Sequence, residues 1–164
     1  MPQGLDHEMA LNAILYAGEP EIQEMEVETS STQLCPGKLV IVGTADYQCA
    51  VAGAASGMVL GVADVPSDQK LTAYYTPSIA GTVTKGFTAG DQIRVLRGDI
   101  VVKLIIKSNK TTVVGQRLVA ATNGMVEPAT ADSGAPEDIV GYSLENKTTE
   151  GLTLCDWVLV KLTI

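Results

Sequence analysis

Residues Val113–Ile164 read VVGQRLVAATNGMVEPATADSGAPEDIVGYSLENKTTEGLTLCDWVLVKLTI. Short apolar runs alternate with turn-forming residues throughout this stretch. The pattern predicts a Gly-led strand over Gly115–Ala121, a turn at Asn123-Gly124 and a short strand over Met125–Ala129. A Ser-Gly-Ala-Pro loop then leads to a strand through Gly141, and a polar turn leads to a closing strand over Asp156–Ile164. No segment has the length or the 3.6-residue period of a long helix. The stretch is a compact all-β unit.

Working outward, the same plan occurs earlier in the chain. Gly37-Lys-Leu-Val resembles Gly115-Gln-Arg-Leu-Val, Val59-Leu-Gly-Val-Ala resembles Ile139-Val-Gly-Tyr-Ser, and Asp91-Gln-Ile-Arg-Val resembles Asp156-Trp-Val-Leu-Val. Between these points strand patterns recur every 8–12 residues with Gly-rich turns, the spacing of a sandwich or barrel. Lys38–Val42 is a short apolar strand, Tyr47, Cys49 and Val51 alternate on a second, and Met58–Ala63 is a third. Gly81–Lys85 is another. Gln92–Arg97 and Asp99–Lys107 follow, with a hairpin turn expected at Arg97-Gly98-Asp99. Ile100, Val102, Leu104 and Ile106 would then face one way, and Val101, Lys103, Ile105 and Lys107 the other. The expected architecture is an all-β barrel or sandwich of two related half-units, residues 35–107 and 113–164, behind an N-terminal acidic arm of residues 1–34. Residues 64–78, which include Tyr74 and Tyr75, read as an insertion in the first half-unit.

Composition narrows the function classes. With 164 residues and 46% hydrophobic content, drawn mainly from Val, Ile, Leu and Ala, the chain can bury a substantial core. No apolar run approaches the 18 residues of a transmembrane helix, and the N-terminus lacks the basic and apolar regions of a secretory signal. Synthesis in a cytoplasm is expected. Cys35, Cys49 and Cys155 have no metal-ligand spacing and read as reduced, buried thiols. The net charge of −8 comes from the N-terminus, where residues 1–30 hold seven acids and no Lys or Arg. That placement argues against direct nucleic-acid binding, which needs clustered cations.

The residues that carry chemistry elsewhere are not assembled here. His7 is the only histidine, and it lies in the arm, where it could not be held within reach of a nucleophile. Ser56 lacks the G-x-S-x-G elbow, and no phosphate-binding or zinc-protease motif is present. Asp132, Glu137 and Asp138 share one loop without EF-hand spacing. Gly81–Ile93 has the strand-turn-strand pattern of lipoyl and biotinyl carrier domains, but Lys85 sits between Thr84 and Gly86 and lacks the carrier context. No catalytic residue, cofactor or metal ligand is expected. A small-ligand or carbohydrate-binding barrel is the alternative class, and it needs a concave pocket with aromatic platforms. Trp157, the only Trp, lies where it would join a core or a subunit interface.

Val114-Gly-Gln-Arg-Leu-Val-Ala, Gly124-Met-Val-Glu-Pro-Ala-Thr, Ile139-Val-Gly-Tyr-Ser-Leu-Glu and Asp156-Trp-Val-Leu-Val-Lys-Leu together resemble the small β-rich capsid decoration, or cement, proteins of tailed double-stranded DNA viruses. Gly57-Met-Val-Leu-Gly-Val-Ala-Asp echoes the pattern in the first half-unit. The resemblance covers roughly residues 35–164; the 64–78 insertion departs from it and the arm lies outside it. It implies a structural, non-enzymatic virion protein on the capsid exterior. It further implies a homo-oligomer, most often a trimer, that bridges major capsid protein subunits and stabilises the expanded head. The apolar arm positions Leu5, Met9, Ile14, Leu15 and Tyr16, the strand positions Met25 and Val27, and Tyr74 and Tyr75 are the candidate capsid or subunit contacts. Packing on the chain's own barrel is the alternative role for each.

Overall fold

The computed structural model describes residues 14–29, 34–54, 56, 58–65, 86–130, 138–149 and 156–164. The strands are β1 (Leu15–Ala17), β2 (Glu21–Val27), β3 (Leu39–Val42), β4 (Gln48–Val51), β5 (Val59–Asp64), β6 (Gln92–Arg97), β7 (Val101–Ile106), β8 (Thr111–Thr112), β9 (Arg117–Ala120), β10 (Val126–Pro128), β11 (Ile139–Ser143), β12 (Lys147–Thr148) and β13 (Asp156–Leu162). They build two closed five-stranded barrels. The first runs β2-β4-β3-β5-β6, and the second runs β7-β10-β9-β11-β13 and closes through a β7–β13 pairing. The chain is all-β, as its alternation and turn chemistry predict.

The barrels share one topology. In each, the first strand pairs in parallel with the third and antiparallel with the last, as β2 does with β4 and β6, and β7 with β10 and β13. The sequence matches land in equivalent places. Gly37 and Gly115 precede β3 and β9 with φ of 85° and 83°, a left-handed conformation that a β-carbon disfavours. The register slips between Val40 and Ile41 where β3 meets β5, and between Ile139 and Gly141 where β11 meets β9. Gly61 and Gly141 sit beside these bulges against the last strand of each barrel.

Three expectations are corrected. Glu21–Val27 is not arm: β2 pairs with β6 over six residues, and Met25 and Val27 fill the first barrel. Body strands therefore begin well before residue 34. The repeats run from β2 to β6 and from β7 to β13, not over 35–107 and 113–164, because Val101–Ile106 opens the second barrel. Arg97-Gly98-Asp99 is accordingly no hairpin, since the strands on either side of it belong to different barrels. The alternation read along this segment does hold: Ile100, Val102, Leu104 and Ile106 are all fully buried.

Side chains fill both barrels. Met25, Val27, Val40, Cys49, Ala63, Ile93 and Val95 occupy the first, joined by Leu34 and Phe87. Val102, Leu104, Ile106, Leu118, Ala120, Val126, Val140, Val158, Val160 and Leu162 occupy the second. This second core extends onto the outside of the first barrel through Leu39, Val62 and Leu96, whose chain neighbours Val40, Ala63 and Val95 point inward. β3, β5 and β6 are thus apolar on both faces at these positions, and burying each Leu or Val against the second barrel contributes about 1.5–3 kcal/mol. Backbone hydrogen bonds tie the halves as well. Ile105 N donates to Gly37 O (3.1 Å) across the two barrels, and on the same edge of β7, away from β13, Lys103 N donates to Ile14 O (2.9 Å) and Lys107 N to Val126 O (2.9 Å) within the second sheet. Gly37 lies under the Trp157 ring, leaving no room for a β-carbon.

Candidate partner-docking surface

Several polar groups with chemical potential are committed to structure among the described residues. Burial, assisted by the Glu28 carboxylate, pushes the Cys49 thiol from its ordinary 9.0 up to about 11. A thiol held protonated in a core is a poor nucleophile. Cys35 is also a buried free thiol. Glu28 accepts hydrogen bonds from Thr44 N (2.8 Å) and Thr44 Oγ1 (3.2 Å), which fastens the end of β2 to the β3–β4 turn. Asp64 is buried and meets Arg94 Nη2 at 2.6 Å, while Arg94 Nε donates to Val65 O (2.9 Å). In the second barrel Glu145 Oε1 accepts from Leu159 N (2.9 Å), continuing the hydrogen bonding of β13 past the end of β11. Lys103 nearby has its pKa lowered by burial, with Glu145 opposing the shift.

Among the described residues no three His, Cys, Asp or Glu side chains converge as metal ligands. Asp138 is half-buried at the start of β11. His7, Cys155, Asp132, Glu137 and the Gly81–Lys85 strand lie outside the described residues. Arg97 pairs with Glu21 (2.8 Å) and Asp99 with Lys161 (2.7 Å), and Gly98 N donates to Ile164 O (2.7 Å). The Arg-Gly-Asp turn is therefore bolted to β2 and β13. It borders an open cleft of about 400 Å³ with Glu21, Thr163 and Ile164. The cleft has no aromatic platform in its lining.

The candidate contact residues divide. Ile14, Met25 and Val27 are buried in the chain's own cores and offer nothing to a partner, because their surface is already spent within the barrels. Leu15 is half-buried against the second core, and Tyr16 is exposed at 62%. Leu5, Met9, Tyr74 and Tyr75 lie outside the described residues.

Other exposed apolar residues were not singled out from sequence. Ile22 projects from β2 between Glu21 and Glu24, where β2 is paired only on its β6 side, since β4 joins it only at Glu26 and Val27. Val42 and Tyr47 flank the β3–β4 turn at 55% and 77% exposure. Tyr142 and Leu144, each 40% exposed, stand on β11 and just after it. Tyr142 is opposite Arg117 on one side and Lys161 on the other. Tyr142 and Leu144 alternate with buried Gly141 and Ser143, so periodicity could have placed those two outward, whereas Ile22, Val42 and Tyr47 have no buried chain neighbour. It could not say that no other strand would cover them.

No protein-family model matches the chain, and no curated protein matches it. Among solved structures, the chain is similar to the head fiber gp8.5 N base of bacteriophage phi29. The likeness has a TM-score of 0.51 at 13% identity and covers 88% of this chain and 95% of that one. It is a likeness of fold, spanning both barrels.

Proposed function

We propose that this chain is a structural virion protein of a tailed phage, carried on the outer surface of the head. In this reading it binds as a homo-oligomer, bridges neighbouring major capsid protein subunits and stabilises the expanded shell. The observation that carries the reading is the likeness of fold to a phage head fiber base over nearly the whole of both chains. The architecture suits the task. Filled barrels joined by a shared core form a rigid body, and exposed apolar residues on turns and outer strands give it surfaces to dock with. A protein that binds only the expanded lattice stabilises that state by mass action, and many identical weak contacts add through multivalency.

The test is cosedimentation of the purified chain with expanded shells and with compact precursor shells of the same phage. Saturable binding to expanded shells, with little to compact ones, is expected. Equal binding to both, or binding to neither, refutes the proposal.

A further inference from the structure

The two barrels of one chain are joined by a contact whose two halves each recur, unoccupied, on the other barrel. The first barrel contributes the outer face of β3, β5 and β6, marked by Leu39, Val62 and Leu96. The second contributes the end that carries its β9–β10 turn. There Gly124 N donates to Ala52 O (2.7 Å), and a β-carbon on Gly124 would lie 2.8 Å from Leu39 O.

Strand register gives the equivalent positions. On the second barrel the face of Leu39, Val62 and Leu96 becomes Arg117, Tyr142 and Lys161. These are exposed or half-exposed, with Leu144 beside them. On the first barrel the end that carries Ala120 and Gly124 becomes Val42 and Tyr47. The turn geometry matches: Gly43 N donates to Gln48 O (2.8 Å) in one barrel, and Ala121 N to Met125 O (2.7 Å) in the other. Ala120 is buried and Gly124 lies against the first barrel, whereas Val42 and Tyr47 are exposed.

We propose that these vacant halves bind one another between copies of this chain. The Tyr142–Leu144 face of one second barrel would dock on the Val42–Tyr47 end of the next copy's first barrel, repeating between chains the step already made within one. Charge agrees with the pairing, because exposed Asp46 borders Tyr47 and exposed Arg117 borders Tyr142. Among the described residues Arg117 takes part in no ion pair. The contact is heterologous, so it closes into a ring where the rotation permits and otherwise extends as a filament. Tyr at the centre of such a patch carries a large share of the affinity.

The inference deepens the self-association contained in the proposed function, and it is tested without a capsid. Sedimentation velocity over a concentration series reads association of the full chain, and circular dichroism melts verify that each variant is folded. Tyr47→Asp and Tyr142→Asp each remove one half of the contact and are expected to weaken self-association by about tenfold or more. Each variant keeps the half the other has lost, so an equimolar mixture is expected to form a one-to-one heterodimer and nothing larger. A parent chain that stays monomeric overturns the inference, as do variants that assemble like the parent or a mixture that yields no heterodimer. Shell binding measured alongside separates the two readings. A monomer that still binds expanded shells overturns the interface alone, and an assembled chain that ignores shells overturns the capsid role alone.

Discussion

Gly61 and Gly141 hold equivalent bulge positions, and their replacement by alanine tests both the packing and the repeat. A β-carbon on Gly61 would overlap the Leu96 carbonyl oxygen and come within 2.8 Å of Val95 Cγ1. On Gly141 it would overlap the Lys161 carbonyl oxygen and come within 2.8 Å of Val160 Cγ1. In each case the obstacle is the backbone of the barrel's last strand, which cannot rotate aside as a side chain can. Overpacking a well-filled interior costs about 1–3 kcal/mol, and a backbone obstacle belongs at the upper end, about 3 kcal/mol. For a chain of this size each kcal/mol lowers the melting temperature by about 2–4 °C, so each variant should melt about 6–12 °C below the parent. Differential scanning calorimetry measures this directly. Because one core spans both barrels, each variant should still melt in a single transition. A Gly61→Ala or Gly141→Ala protein melting within about 2 °C of the parent would refute the assigned close approach. Two separated transitions would refute the coupling of the barrels.

Three further outcomes follow from the same contacts. The raised Cys49 pKa keeps the thiol neutral in the fold while the unfolded chain ionises. Stability is therefore fully present below pH 9 and falls as pH rises from about 9 to about 11, by about 1.4 kcal/mol per unit; urea midpoints of the parent and of Cys49→Ala across that range should diverge, and parallel curves would exclude Cys49 as the cause. Arg94→Ala strips the charged partner from the buried Asp64 carboxylate and, with Arg94 partly exposed, should cost about 2–3 kcal/mol by urea denaturation; a loss under about 0.5 kcal/mol would mean that solvent takes Arg94's place. Deleting residues 2–30, harmless if they formed an arm, removes β1 and β2 and opens the first barrel; the truncated chain should lack the dispersed amide spectrum of the parent, and a native-like spectrum would place β2 outside the folded body.

The equivalence of the barrels was legible at Gly37 and Gly115, at Gly61 and Gly141, and at Asp91 and Asp156. At these places backbone conformation or strand register restricts the residue, so the sequence preserves the trace. The first strand of each barrel left no such trace. Glu21–Val27 carries Met25 and Val27 as its only inward apolar residues, and its outward acids resemble a solvated tail. Val101–Ile106 follows β6 after a three-residue turn, which is the local signature of a hairpin, yet its main partner is β13, 50 or more residues away. The exposed surface was hidden for a related reason. Tyr47 and Tyr142 differ from buried aromatics only in what fails to cover them.

By itself, then, the sequence determined most of the longer strands, the buried face of Ile100–Ile106 and the internal likeness of two halves. Alternation, glycine and turn chemistry act over a few residues and need no knowledge of the rest of the chain. The tertiary structure alone decided which strands close each barrel, where one repeat ends and the next begins, and which apolar faces stay open. These depend on pairings between distant segments, where main-chain hydrogen bonds are alike for every residue and the choice of partner is made by the packing of the whole core.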